Sequence, residues 1–147
     1  MKEPIRPSAA AYGALLLRLA LGTMFIAHAL LKLYVFTLPG TAQFMQSLGL
    51  PGTLGYLTFG AELVGGTLLI LGVYTRTVAV ALVPILIGAT WAHAGNGWVF
   101  TANGGGWEYP AFLSVAAFVQ ALVGEGAFAL TRSRTRPMAV TRYADAH

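Results

Sequence analysis

The stretch "TLGYLTFGAELVGGTLLILGV" (residues 53–73) is almost wholly apolar and carries one charged side chain, Glu62, near its centre. Its length is about the 20 residues that a helix needs to cross the hydrocarbon layer of a bilayer. A carboxylate at mid-membrane costs several kcal/mol unless it finds a partner. We therefore expect Glu62 to face the protein interior beside a polar partner, or to stay protonated.

Four small residues lie one or two helical turns from this acid and share its face: Gly55, Thr58, Gly65 and Gly66. Small side chains let a second helix approach closely within a membrane. The sequence therefore predicts that Glu62 and a helix-packing groove share one inward face.

The composition of the whole chain is that of a membrane protein. Of the 147 residues, 56% are hydrophobic and only 10% are charged, which is too little polar surface for a soluble domain of this size. The apolar residues form four blocks without the alternation of barrel strands. These blocks are residues 12–35, 53–73, 77–94 and 110–130. The sequence predicts an all-α, integral membrane four-helix bundle.

The first block also has some features of a signal peptide. Lys2 and Arg6 precede it, and "AHA" (27–29) resembles a small-x-small cleavage site. However, Arg18 interrupts the apolar run and three further spans follow, so an uncleaved first helix is favoured.

Positive charges indicate the orientation. Lys and Arg occur before the first block, at Arg76 in the second connection and throughout the tail, but not in the connections 36–52 and 95–109. Four crossings place both termini and the second connection on one side, which the positive-inside rule makes cytoplasmic. We expect a multi-pass protein of the inner (plasma) membrane with a cytoplasmic N-terminal tail (1–11) and a four-helix domain (12–130).

The remaining segment (131–147) is a basic tail without an apolar stripe, expected to be cytoplasmic and close to anionic lipid headgroups. Because topology accounts for the net charge of +4, nucleic acid is not expected as a partner. Membrane lipids are expected partners, and the sequence is compatible with a homo-oligomer.

The two connections without basic residues have distinct characters. "TAQFMQSLGLP" (41–51) spaces Phe44, Met45 and Leu48 as in a helix, and predicts a short helix at the outer interface. "GNGWVFTANGGGWEY" (95–109) combines glycines with aromatic residues. It is compatible with a lid over the bundle and equally with an interfacial hairpin.

The chain contains no cysteine. This excludes a Cys-x-x-Cys relay between thiols and quinones, structural disulfides and zinc-thiolate sites. His28 and His93 could serve as axial ligands of a haem. However, no local ligand spacing supports a haem site, and no metal site is predicted.

Candidate partners for Glu62 lie on the first helix. Arg18 and His28 are each within side-chain reach by helical rise, and the sequence leaves the choice between them open; Lys32 lies nearer the outer boundary. A structural Arg18–Glu62 clamp, or snorkelling of Arg18 and Lys32 to headgroups, explains these residues equally well.

Further polar and aromatic residues are expected on the outer side, where they would complete a pocket of titratable groups. These residues are His93, Trp91, Asn103, Glu108 and Tyr109. For both His28 and His93, a hydrogen-bonded packing role is the simpler alternative.

The segments "RLALGTMFIAHALLKL" (18–33), "FMQSLGLP" (44–51), "AELVGGTLLILGVYTRTVAVAL" (61–82) and "GGGWEY" (104–109) follow one another in an order that resembles the DoxX family of small four-helix membrane proteins. The resemblance extends over about residues 15–130. Family positions fall on Arg18, His28, Lys32, Glu62, Thr75, Arg76, Gly106 and Glu108. Ala29 stands where a glycine is frequent, which affects only fine packing.

The resemblance implies the fold more firmly than the reaction. Some family members are membrane subunits linked to thiosulfate:quinone oxidation, and others are associated with oxidative-stress complexes. The first hypothesis is therefore a quinone-linked redox subunit in which Glu62 and His28 are catalytic and relay protons. The quinone would be bound by Arg18, Lys32, His93, Trp91, Asn103, Glu108 and Tyr109.

In that hypothesis, electrons come from a soluble or membrane oxidoreductase partner, because this chain has no cysteine and no flavin motif. The second hypothesis is a non-catalytic membrane protein that binds a small molecule or lipid, or anchors partners. The polar cluster would then recognise a head group, and the basic tail would dock a soluble protein.

Overall fold

The computed structural model describes residues 7–131. The expected tails, 1–11 and 131–147, lie mostly outside this part of the chain. Within it the protein is all-α, with no strand between residues 7 and 131, as predicted. The elements are α1 (Ala9–Tyr34), α2 (Leu38–Ser47), α3 (Thr53–Leu71), α4 (Thr75–His93), a 3-10 turn (Ala94–Asn96) and α5 (Glu108–Val123).

Three helices of the described part, α1, α3 and α4, are long and apolar enough to cross a membrane. Helix α5 is apolar but has 16 residues, shorter than the predicted block 110–130. It ends at Val123 because Gly124 and Gly126 adopt positive φ angles of 85° and 72°. A helix cannot continue through such a conformation.

Helices α1 and α3 pack closely through glycines. A Cβ atom on Gly22 would lie 2.7 Å from the carbonyl oxygen of Gly66, and a Cβ atom on Gly66 would lie 2.8 Å from that of Gly22. The two backbones therefore touch, as expected for small residues at a membrane helix interface. This contact fixes the height of α1 relative to α3.

Helices α4 and α5 complete the bundle around an apolar core. Leu82 of α4 packs against Gly65 of α3, where a Cβ atom would lie 2.8 Å from the leucine Cδ2. The core is formed by Leu21, Phe25, Leu69, Ala79, Leu82, Val83, Leu86, Ala116 and Ala117.

Segment 124–131 folds back across one end of the bundle. The backbone N–H of Ala127 donates to the carbonyl of Ala11 in α1, and that of Leu130 donates to the carbonyl of Leu71 in α3. The Tyr74 N–H, at the start of α4, donates to the Thr131 hydroxyl at 2.7 Å. The beginning of α1, the α3–α4 turn and the segment after α5 therefore lie at the same end.

Two arginines hold this end together. Arg18 is 1% exposed and donates to the carbonyl oxygens of Glu125, at 2.6 Å, and Ala127, at 3.3 Å. Arg76 donates to those of Ala121 and Leu122, at 2.9 and 2.8 Å. Arg76 therefore satisfies carbonyls that the last turn of α5 leaves without helical partners, and Arg18 satisfies carbonyls of the segment after it.

Helix α2 is the short helix predicted in the first connection, although it begins and ends earlier than the predicted segment 41–51. The Thr37 hydroxyl caps it by accepting a hydrogen bond from the Gly40 N–H at 3.2 Å. The helix packs on α3 at Gly55, where a Cβ atom would lie 2.9 Å from the Ala42 nitrogen. Gly55 therefore brings α2 against the bundle.

Candidate functional site

Glu62 forms a buried ion pair with Lys32. The Lys32 Nζ donates to both carboxylate oxygens, at 2.8 and 2.7 Å, and the Glu62 side chain is 8% exposed. The predicted inward direction of Glu62 is confirmed. Both partners that the sequence left open are wrong, because Arg18 donates to the carbonyls of Glu125 and Ala127 and His28 donates to that of Met24.

The register of α1 against α3 explains this outcome. With Gly22 against Gly66, Arg18 reaches Gly72, more than two turns from Glu62 along α3. The structural Arg18–Glu62 clamp is therefore also wrong. Lys32 lies in the last turn of α1, and its long apolar stem brings the ammonium group back to the carboxylate.

His28 lies in the same region without contacting the acid directly. It is within electrostatic range of Glu62, while its Nδ1–H donates to the Met24 carbonyl at 2.8 Å. Its ring stacks on Tyr109 of α5, with centroids 5.7 Å apart. The imidazole is thus held between α1 and α5 beside the ion pair.

A cavity of about 650 Å³ opens beside the Lys32–Glu62 pair. Its walls come from α2, α3, α4 and the end of α1, and they are predominantly apolar. They include Phe36, Thr41, Phe44, Met45, Leu48, Leu50, Leu54, Thr58, Pro84, Ile85, Gly88, Ala89, Trp91, Ala92, His93 and Gly104. An apolar cavity with a few convergent polar groups is the usual form of a small-molecule site.

His93 is the other ionisable residue in the cavity wall. Its Nδ1 atom is buried and has no hydrogen-bond partner among the described residues. A Cβ atom on Gly105 would lie 3.5 Å from the His93 Cδ2, so the loop after α4 packs over the ring. An unpaired buried nitrogen is costly unless a ligand or water satisfies it.

The loop between α4 and α5 is ordered by its own polar contacts. Asn96 donates to the carbonyls of Gly104 and Gly105, at 3.0 and 2.9 Å. The Glu108 carboxylate accepts from the Phe100 N–H at 2.9 Å. Gly104 also lines the cavity, as the lid interpretation expects, and the N–H groups of Trp107 and Glu108 donate to the carbonyls of Gly97 and Trp98, as the hairpin interpretation expects.

The predicted site residues thus divide into two groups. Lys32, Glu62, Trp91 and His93 line the cavity. The others lie elsewhere: Arg18 is at the opposite end, His28 is behind the ion pair, Asn103 is exposed, and Glu108 and Tyr109 line a second cavity of about 520 Å³ beside α5.

Sequence reasoning missed most of the cavity wall contributed by α2 and α4, and the anchoring role of Asn96. The helical spacing of Phe44, Met45 and Leu48 predicted that α2 is a helix, but it did not predict which helix α2 packs against.

Among residues 7–131, no three His, Asp or Glu side chains come together as a metal-ligand set.

Comparison with known proteins identifies the family. A protein of Bacillus subtilis (strain 168) named "Putative oxidoreductase CatD" is 43% identical over 77 residues. These residues are 52% of this chain and 56% of the relative, so the chain spans about half of the relative's length. No solved structure matches the chain.

The sequence model described as DoxX matches residues 13–95, more than half of the chain. The matched part contains α1 to α4, with the Lys32–Glu62 pair and His93, whereas α5 lies beyond it. The chain belongs to the DoxX family of multi-pass membrane proteins.

Proposed function

We propose that the protein is a redox-linked subunit of the inner membrane that binds an isoprenoid quinone, or a similar small amphiphile, in the cavity between α2 and α4. One observation carries the proposal. The cavity is apolar along most of its wall and has a buried Lys32–Glu62 pair in it.

The cavity suits a quinone ring in size and chemistry. Its volume of about 650 Å³ lies within the range of about 300–1,000 Å³ that is usual for small-molecule sites. Quinone oxygens accept hydrogen bonds. Lys32 has three N–H donors, of which Glu62 takes two, and the His93 ring is the second polar group available.

The same residues suit proton transfer. Reduction of a quinone to a quinol consumes two electrons and two protons. The Lys32 ammonium is placed to hand a proton to the ligand, Glu62 balances its charge and accepts a replacement proton, and His28, within electrostatic range of Glu62, is the group that resupplies it. The electrons come from a soluble or membrane oxidoreductase partner, consistent with the name of the Bacillus relative.

The exposed apolar side chains around the cavity indicate access from the bilayer. Phe36, Phe44 and Trp91 line the cavity and are also exposed. They also favour a second candidate function, non-catalytic binding of a lipid, because such a rim accommodates any acyl chain.

The arrangement of the chain ends supports four crossings, with α5 as the fourth. The start of α1 and the segment after α5 lie at one end of the bundle, which requires an even number of crossings between them. Arg76 lies at that end, so the positive-inside rule makes it cytoplasmic.

Thermal unfolding of the detergent-purified protein with a short-chain ubiquinone or menaquinone analogue tests the function. At about 100 times Kd a ligand stabilises the native state by about 2.7 kcal/mol, so the midpoint should rise clearly. Glu62→Gln should abolish the rise. The matched control is Glu108→Gln, which changes a carboxylate outside the cavity and should respond like the wild type.

The two candidate functions give different outcomes. Stabilisation by quinone that is lost in Glu62→Gln supports the redox-linked function. Equal stabilisation by a ring-free fatty alcohol and by quinone would favour the lipid-binding function, and the absence of any response to quinone would contradict the proposal.

A further inference from the structure

Gly88 in the middle of α4 is a glycine that the fold itself does not require. A Cβ atom built there meets no described atom within 4 Å, and its backbone has no positive φ angle. Glycine in a helix interior is less stable than alanine because it loses more conformational freedom on folding. The cost at Gly88 is therefore not offset by helix packing.

Three other glycines of the bundle behave differently. At Gly22, Gly65 and Gly66 a Cβ atom would lie less than 3 Å from an atom of a neighbouring helix. These three are needed for close packing of α1, α3 and α4. Gly88 instead lines the cavity.

Gly88 lies on the wall of the cavity that α4 provides. Pro84, one turn before it, and Ala92, one turn after it, line the same cavity. The Lys32–Glu62 pair lies on a different wall, formed by α1 and α3. The ion pair and the bare backbone at Gly88 therefore line the same cavity.

We propose that Gly88 is a specificity-determining residue that admits a planar ring between the α4 backbone and the ion pair. This inference rests on the proposed function of the same cavity and adds that the head group of the bound molecule is planar. A ring gains dispersion contacts over its whole face when no side chain holds it away from the helix. A flexible acyl chain adapts around a side chain and has less need of the glycine.

The test compares two helix-interior glycines at which an added Cβ atom would have open space. A Cβ atom built on Gly60 of α3 also meets no described atom within 4 Å, but Gly60 does not line the cavity. Gly88→Leu should weaken binding of the quinone analogue about tenfold or more, because overpacking a site costs at least that much. Gly60→Leu should bind it like the wild type, and Gly88→Ala should be intermediate.

A ring-free dodecyl alcohol serves as the second probe, and circular dichroism confirms that each variant is folded. If wild type and Gly88→Leu bind the quinone equally, the inference is wrong while the proposed function stands. If the wild type binds the alcohol but no quinone, both are wrong. Loss of quinone binding in Gly88→Leu alone, with binding of the alcohol retained, supports the inference.

Discussion

At the scale of single residues, the Lys32–Glu62 pair is costly to bury. Each charge loses hydration on burial, and their attraction offsets this cost only while both are present. Both carboxylate oxygens accept from the same ammonium group, so neither residue can be removed alone without leaving a buried charge. An apolar pair would hold α1 and α3 together equally well, which is why we assign the charges to ligand binding.

Glu62→Leu should therefore lower the free energy of unfolding by about 3–5 kcal/mol, because Lys32 is left unpaired. The double variant Lys32→Met with Glu62→Leu should recover most of this loss, since no buried charge remains. Unfolding in detergent measures both. A double variant no more stable than Glu62→Leu would contradict a mutual pairing of the two residues.

The sequence predicted the direction of Glu62 but not its partner. Small residues on one face of α3 indicated which side is buried, and Gly65 and Gly66 are indeed buried with the acid. Counting rise along α1 gives the height of a residue on its own helix only. The register of α1 against α3 is set by the Gly22–Gly66 contact, and no local sequence pattern specifies which residues make that contact.

At the scale of elements, the long helices were predictable and the short ones less so. Apolar blocks 12–35, 53–73 and 77–94 correspond to α1, α3 and α4. The fourth block was predicted too long because Ala127, Phe128 and Leu130 are again apolar, while Gly124 and Gly126 end the helix before them. Hydropathy records composition and does not record a left-handed backbone conformation.

The connections determine the site more than the long helices do. Helix α2 supplies one wall of the cavity, and the loop after α4 covers His93. Their character was readable from the sequence, as an interfacial helix and an aromatic, glycine-rich loop. Their positions depend on tertiary contacts such as Ala42 against Gly55 and Asn96 on Gly104, which lie beyond sequence periodicity.

At the scale of the whole molecule, the two ends of the described chain meet at the end of the bundle that carries Arg18 and Arg76. The cavity, with His93 and the loop after α4, lies toward the other end. The proposed ligand site therefore lies on the side away from Arg18 and Arg76, in the leaflet that we propose to be the outer one.

Because the chain has no cysteine, single introduced cysteines report this topology without background. A membrane-impermeant maleimide applied to spheroplasts should label Asn103→Cys, in the loop after α4, and leave Thr77→Cys, after the α3–α4 turn, unlabelled. Thr77→Cys should react once the membrane is permeabilised. The reverse pattern would show that the positive-inside assignment is wrong.

The most direct test of the central claim, that the cavity beside Lys32–Glu62 holds a lipid-soluble quinone, is the amount of quinone that co-purifies with the protein. Wild type and the Lys32→Met, Glu62→Leu double variant are extracted from the same membranes, and quinone per chain is measured by mass spectrometry. We predict near-stoichiometric quinone with the wild type and at most a tenth of that with the folded double variant, a loss of about 1.4 kcal/mol or more in binding. No quinone with the wild type, or equal amounts with both proteins, would contradict the claim.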